Sequence, residues 1–164
     1  MISFPFCFGK NFHGLSTLDN TKRTIFIGNI QACESRLALA ALHVKHVVTV
    51  SSFPIENKWT DDGICYTHHL ISSLGGNKPP QESRAIVNVT KNISSIVESN
   101  KNGSILVACA TGEDFSISAC TLFIMQRFEL NTSEALDKIV SNVFGNYHED
   151  KDVFISHWLY TFIL

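Results

Sequence analysis

The residues best placed to do chemistry lie in one run, Ile105-Leu-Val-Ala-Cys-Ala-Thr-Gly-Glu-Asp-Phe-Ser-Ile-Ser-Ala119. An apolar stretch leads into Cys109, a short loop containing Gly112 follows, and a helix-forming apolar segment begins near Ser116. A strand, a tight loop and a helix N-terminus in that order gather unpaired backbone N–H groups around a thiol. Such amides, with the positive end of the helix dipole behind them, suit an oxyanion, and the thiol can attack it as a nucleophile. Gly112 permits the turn, because glycine alone adopts a left-handed backbone without steric cost. Glu113 and Asp114 work against an anion: each carboxylate at contact range costs on the order of 1 kcal/mol even in water. Each residue also has a plainer role. Cys109 suits a buried structural thiol at a strand end. Glu113 and Asp114 are acidic residues well placed at a helix N-terminus. Phe115 packs against the sheet and plugs any pocket there.

The elements that would position this loop follow from periodicity. Residues 24–28 form a short strand ending at glycine, and 29–41 are rich in strong helix formers. The β-branched run 46–50 reads as a strand buried on both faces, and 64–71 as a third strand. Gly75-Gly76 and Pro79-Pro80 mark 72–80 as a loop. Apolar positions Ile86, Val89, Ile93, Ile96 and Val97 give residues 81–100 a helical stripe. Strand 105–107, an almost wholly apolar helix over 116–126, a helix capped by Thr132 or Ser133, and a final apolar helix over 157–164 complete the order. Strands alternating with helices predict an α/β fold, a mostly parallel sheet of four to five strands flanked by helices. Residues 1–22 read as an irregular N-terminal arm and 23–164 as a single domain. The arm's Phe4, Phe6, Phe8 and Phe12 are expected to pack on that domain.

Composition narrows the function classes. The chain has 164 residues, 45% of them hydrophobic, which suits one domain with a true core. A net charge of −2 offers no basic surplus for nucleic acid or an anionic membrane. Five cysteines (Cys7, Cys33, Cys65, Cys109 and Cys120) at irregular spacing without a CxxC pair speak against a zinc site or a disulfide framework. Reduced thiols predict a cytoplasmic or nuclear location. No run reaches the length of a membrane span, and the N-terminus lacks the basic start of a signal peptide. His68 and His69 stand next to each other on a strand and point to opposite faces, so they do not share a metal. No cofactor is expected.

In order and spacing, residues 24–140 resemble the dual-specificity branch of the cysteine-dependent phosphatases. The resemblance rests on Ile25-Phe-Ile-Gly28 before a helix, His43-Val-Lys-His-Val-Val-Thr-Val50, the approach to Cys109 through Asn102-Gly-Ser-Ile-Leu-Val-Ala, and Thr132-Ser-Glu-Ala-Leu136. It implies a phosphotyrosine-phosphatase-like fold. Cys109 takes the nucleophile position, and Ala110, Thr111, Gly112, Glu113, Asp114, Phe115 and Ser116 form the phosphate loop. The family pattern also asks for an arginine where Phe115 stands, a histidine where Ala108 stands, and an acid between 72 and 81, where this chain has no Asp or Glu. The arginine makes a bidentate pair with phosphate that no phenyl ring replaces, and the acid protonates the leaving group.

The second half resembles the phosphatase-like C-terminal domain of the initiator-tRNA ribosyl-phosphate transferases. Cys-Ala-Thr-Gly-Glu-Asp-Phe-Ser-Ile117 is similar to that domain's Cys-x-Thr-Gly-Lys-Asp-x-Ser-Val. Lys78 with Ser83-Arg84 resembles the segment before its long helix, and residues 153–164 its last helix. Glu113 departs from the lysine. This resemblance implies an accessory domain of a tRNA-modifying enzyme, without that enzyme's large catalytic region.

The expectation is a catalytically degenerate, phosphatase-like binding or regulatory module with a protein partner. A tRNA partner, which net charge does not support, is the first alternative. An active phosphatase using a displaced acid such as Asp61 and a displaced cation, Lys78 or Arg84, is the second. A redox-sensing thiol at Cys109 is the third. Lys78 and Arg84 also form a possible anion-binding edge, against the plainer reading of solvated charges at a helix start.

Overall fold

The computed structural model describes residues 12–15, 24–71, 79–99, 102–112 and 114–143. In chain order these form β1 (Phe12–Leu15), β2 (Ile25–Asn29), α1 (Ile30–Glu34), α2 (Arg36–Ala41) and β3 (Val44–Ser51). Then come β4 (Cys65–Leu70), α3 (Pro79–Glu98), β5 (Ser104–Cys109), α4 (Phe115–Phe128) and α5 (Thr132–Val143). The strands make one five-stranded sheet in the order β1-β2-β5-β3-β4. β2, β5, β3 and β4 run parallel, and β1 joins the β2 edge antiparallel.

The sheet is covered on both faces, which is why its central strands read as continuous apolar runs. On one face α3, α4 and α5 pack Val89, Ile93, Phe123, Ile124 and Ile139 against Ile27, Val48, Val50, Ile105 and Val107. On the other, α1 and α2 bring Ala32, Cys33 and Leu39 onto Val44, Val47, Leu106 and Ala108. Every residue of β5 is buried, so the strand that ends at Cys109 is the most enclosed of the sheet.

Several local readings are refined. The segment over 29–41 is two short helices. Ser35 ends the first and caps the second, its Oγ accepting the Ala38 N–H at 3.4 Å, a backbone alternative that serine offers and alanine does not. Pro79 and Pro80, read as loop, occupy the first turn of α3, where a missing N–H costs nothing. Asn131, not Thr132 or Ser133, caps α5. Its Oδ1 accepts the Glu134 N–H at 3.0 Å while Glu134 Oε2 accepts the Asn131 N–H at 2.9 Å, a reciprocal box. Within the stretch expected to be an irregular arm, Phe12–Leu15 is a strand, since the open β2 edge offers it backbone partners. The expected helix over 157–164, Lys78 and Glu113 lie outside the described residues.

Candidate functional site: the loop after Cys109

Parallel strands present all their C-terminal ends on one edge, where α/β sheets bind ligands. Here Asn29, Cys109, Ser51 and Leu70 end β2, β5, β3 and β4. Cys109 is paired with Asn29 on one side and Val50 on the other. Alternation along β5 turns its side chain toward the face covered by α4.

The thiol sits on the floor of the loop, 1% exposed. The Gly112 N–H donates to Cys109 Sγ at 3.3 Å, and Ser116 Oγ lies 3.2 Å from the same sulfur. Ser116 is fully buried in the first turn of α4, whereas Ala110 and Thr111 are exposed. The loop therefore folds over the sulfur and presents its rim to solvent. Gly112 has φ +83°, and a Cβ there would lie 2.9 Å from the Gly28 carbonyl carbon and 3.0 Å from the Asn29 nitrogen. Glycine is thus required both by the turn and by the approach of the loop to the end of β2. Asn29 holds that wall in place by capping α1, its Oδ1 accepting the Ala32 N–H at 3.1 Å. The sequence reading took in Gly112 but not the Gly28–Asn29 wall, whose only signal is a glycine and a capping residue at the end of an apolar strand.

Asp114 occupies the cap position of α4. Its carbonyl accepts the Ser118 N–H at 3.0 Å, but its carboxylate makes no capping hydrogen bond. Phe115 is half-buried and packs on the core beneath α4, as its plainer reading holds. Arg84 is exposed on α3, and among the described residues no hydrogen bond or ion pair joins it to the loop.

Asp61 does not suit a displaced acid. It lies in a 3-10 turn, Thr60–Asp62, just before β4, hence at the opposite edge of the sheet from Cys109, a strand's length away. Its neighbour Asp62 is engaged there by Arg36, which donates from Nε at 2.8 Å and Nη2 at 2.7 Å. That hydrogen-bonded pair holds the Asp62 carboxyl below its usual range.

Two other thiols feel Cys109. Burial pushes Cys33, on α1, up to about 12, with smaller contributions from Glu34 and Cys109. Burial raises Cys120, on α4, further, Cys109 adding to it. Both therefore stay protonated near neutral pH, and neither is a nucleophile there.

The two histidines of β4 face opposite ways, as alternation requires. His68 stacks on Tyr66 on the α1–α2 side, its Nδ1 2.5 Å from Thr49 Oγ1 and its Nε2 paired with Asn57 Oδ1. His69 turns to the Cys109 face, and its Nε2 is buried with no hydrogen-bond partner. Desolvation lowers both imidazole pKa values.

Solved structures share this architecture. The Cydia pomonella PTP-2 phosphatase superposes with a TM-score of 0.67 at 11% identity, covering 94% of this chain and 89% of its own. A mouse putative dual specificity phosphatase, complexed with zinc tungstate, gives 0.63 at 18% identity over 87% and 81%. Human DUSP28 gives 0.56 at 20% identity over 72% and 75%. At such identities the likeness speaks for the fold: this is a dual-specificity-phosphatase-like domain in architecture. No curated protein sequence matches the chain. The sequence model of the Rit1 DUSP-like domain matches residues 71–155, just over half of the 164, a stretch that takes in α3, β5, the Cys109 loop, α4 and α5. The chain therefore belongs to the family of Rit1 DUSP-like domains.

Proposed function

We propose that this chain is a phosphate-recognition module that binds without hydrolysing, and that its partner is the RNA of an initiator-tRNA-modifying system. One observation carries the reading. The loop keeps the two contacts that seat Cys109 Sγ, from Gly112 N–H and Ser116 Oγ, while the side chain six positions after the cysteine, Phe115, packs into the core. Backbone amides and the α4 dipole remain available to an anion. The bidentate cation and the acid that would drive phosphoester cleavage have no counterpart among the positions that supply them in related loops. Each such group normally contributes several powers of ten in rate.

Family membership favours the RNA over a protein partner, and net charge does not decide against it, since one phosphate needs only one loop. The thiols suit a reducing compartment, cytoplasm or nucleus. The experiment is a titration of the full chain with fluorescently labelled initiator tRNA, beside an elongator tRNA. Saturable binding that prefers the initiator and survives Cys109→Ser is the expected result. Binding of neither tRNA, by a chain that captures phosphorylated peptides instead, would overturn the RNA assignment.

A further inference from the structure

His69 lies in the same cross-strand row as the loop cysteine. Val50 of β3 is paired with Cys109 on one side and with His69 on the other, and cross-strand partners point to the same face. Two strand spacings put the Cα atoms of Cys109 and His69 roughly 10 Å apart. A phosphate seated on the loop amides occupies the space above that row. Nε2 of His69 is buried and has no partner, whereas every ring nitrogen of its neighbour His68 is engaged. An orphaned buried nitrogen needs a reason, and a bound ligand supplies one.

The charge of the site limits what that ligand is. A phosphomonoester brings close to two negative charges at neutral pH, and a phosphodiester brings one. Against the ligand stand the Asp114 carboxylate at the cap of α4 and a phenyl ring at position 115. For it stand neutral amides, the half-charge of a helix terminus and an imidazole. Burial keeps that imidazole neutral at neutral pH, so it donates one hydrogen bond without adding charge. Such a set answers a monoanion better than a dianion.

We infer that His69 is the side-chain donor of this site, its Nε2–H bonding a non-bridging oxygen of a phosphodiester seated on the Cys109 loop, so that the site selects an RNA backbone phosphate over a phosphomonoester. The inference rests on the loop reading above and deepens it.

The test is calorimetric titration of the full chain with adenylyl-adenosine as the phosphodiester and phenyl phosphate as the monoester. The nitrogen chemical shift of His69 Nε2 is followed in parallel. The dinucleotide is expected to bind more tightly than the monoester and to shift the His69 resonance. Loss of a hydrogen bond to a charged acceptor makes His69→Ala weaken binding about tenfold or more. His69→Gln, which keeps an N–H near the Nε2 position, recovers most of it, and His68→Gln leaves it unchanged. Dinucleotide binding that His69→Ala leaves intact but Gly112→Ala abolishes overturns this inference and spares the loop. Preference for phenyl phosphate also overturns it. Binding of neither ligand by folded protein, without a His69 shift, overturns both readings.

Discussion

Ser116 Oγ lies 3.2 Å from Cys109 Sγ with both residues buried, which joins the last residue of β5 to the first turn of α4 across the loop. The contact fixes the sulfur beneath the loop and fixes where the helix begins. Replacing Ser116 with alanine leaves the sulfur one partner short in a site closed to water. Ser116→Ala should lose about 1 kcal/mol, the usual net worth of one such bond. Urea denaturation measures it, and an unchanged midpoint would mean that the contact contributes nothing to the loop.

Gly112 answers two demands at once, a backbone at φ +83° and a gap of 2.9 Å to the Gly28 carbonyl carbon. Gly112→Ala meets both penalties. The left-handed backbone alone costs about 1–3 kcal/mol, and the β2 wall must also move. The variant should be among the most destabilised in the loop and should lose anion binding, with the fold otherwise retained by circular dichroism. Wild-type stability and binding in this variant would contradict the packing described.

Asn131 and Glu134 close the N-terminus of α5 reciprocally. Asn131→Ala removes the cap and should cost about 1 kcal/mol, and Asn131→Gly only a few tenths. Thr132→Ala and Ser133→Ala should cost less than the Asn131 change. Thermal melts of the four variants decide which residue is the cap.

Acid should loosen the clasp between α2 and the turn before β4. The Arg36 pair depresses the Asp62 carboxyl, so the folded protein binds that proton less readily than the unfolded chain. The pair's contribution is complete above the ordinary carboxylate range, and it is lost as pH falls through the depressed folded value. Both partners are well exposed, so the effect is small and screened by salt. Melting temperature followed from pH 6 to pH 2 should fall less in Asp62→Asn than in the wild type. Parallel curves would show that the pair carries no linkage.

Much of the fold was legible because its signals are local. The β-branched runs 46–50 and 105–107, the stripe Ile86–Val89–Ile93, and the apolar segment after Ser116 each state their period within a few residues, and each became an element of the sheet or its cover. Gly112 was legible for the same reason. What the sequence did not disclose is set by tertiary neighbours. Phe12–Leu15 is a strand only because the β2 edge is open beside it. Ser35 breaks a helix by competing with its backbone. Asp61 and Asp62, close to β4 in sequence, end up at the far edge of the sheet because the strand must run its whole length before reaching the loop. The row that joins Cys109, Val50 and His69 depends on strand order, which puts β3 between β5 and β4 and which no spacing along the chain reveals.

The central claim is that the loop recognises phosphate and does not cleave it. It is tested most directly by the rate at which the purified full chain releases phosphate from p-nitrophenyl phosphate, measured beside Cys109→Ser. The account predicts equal rates, both at the background of the uncatalysed reaction. Turnover by the wild type that disappears with Cys109→Ser would contradict it and make the domain a working phosphatase.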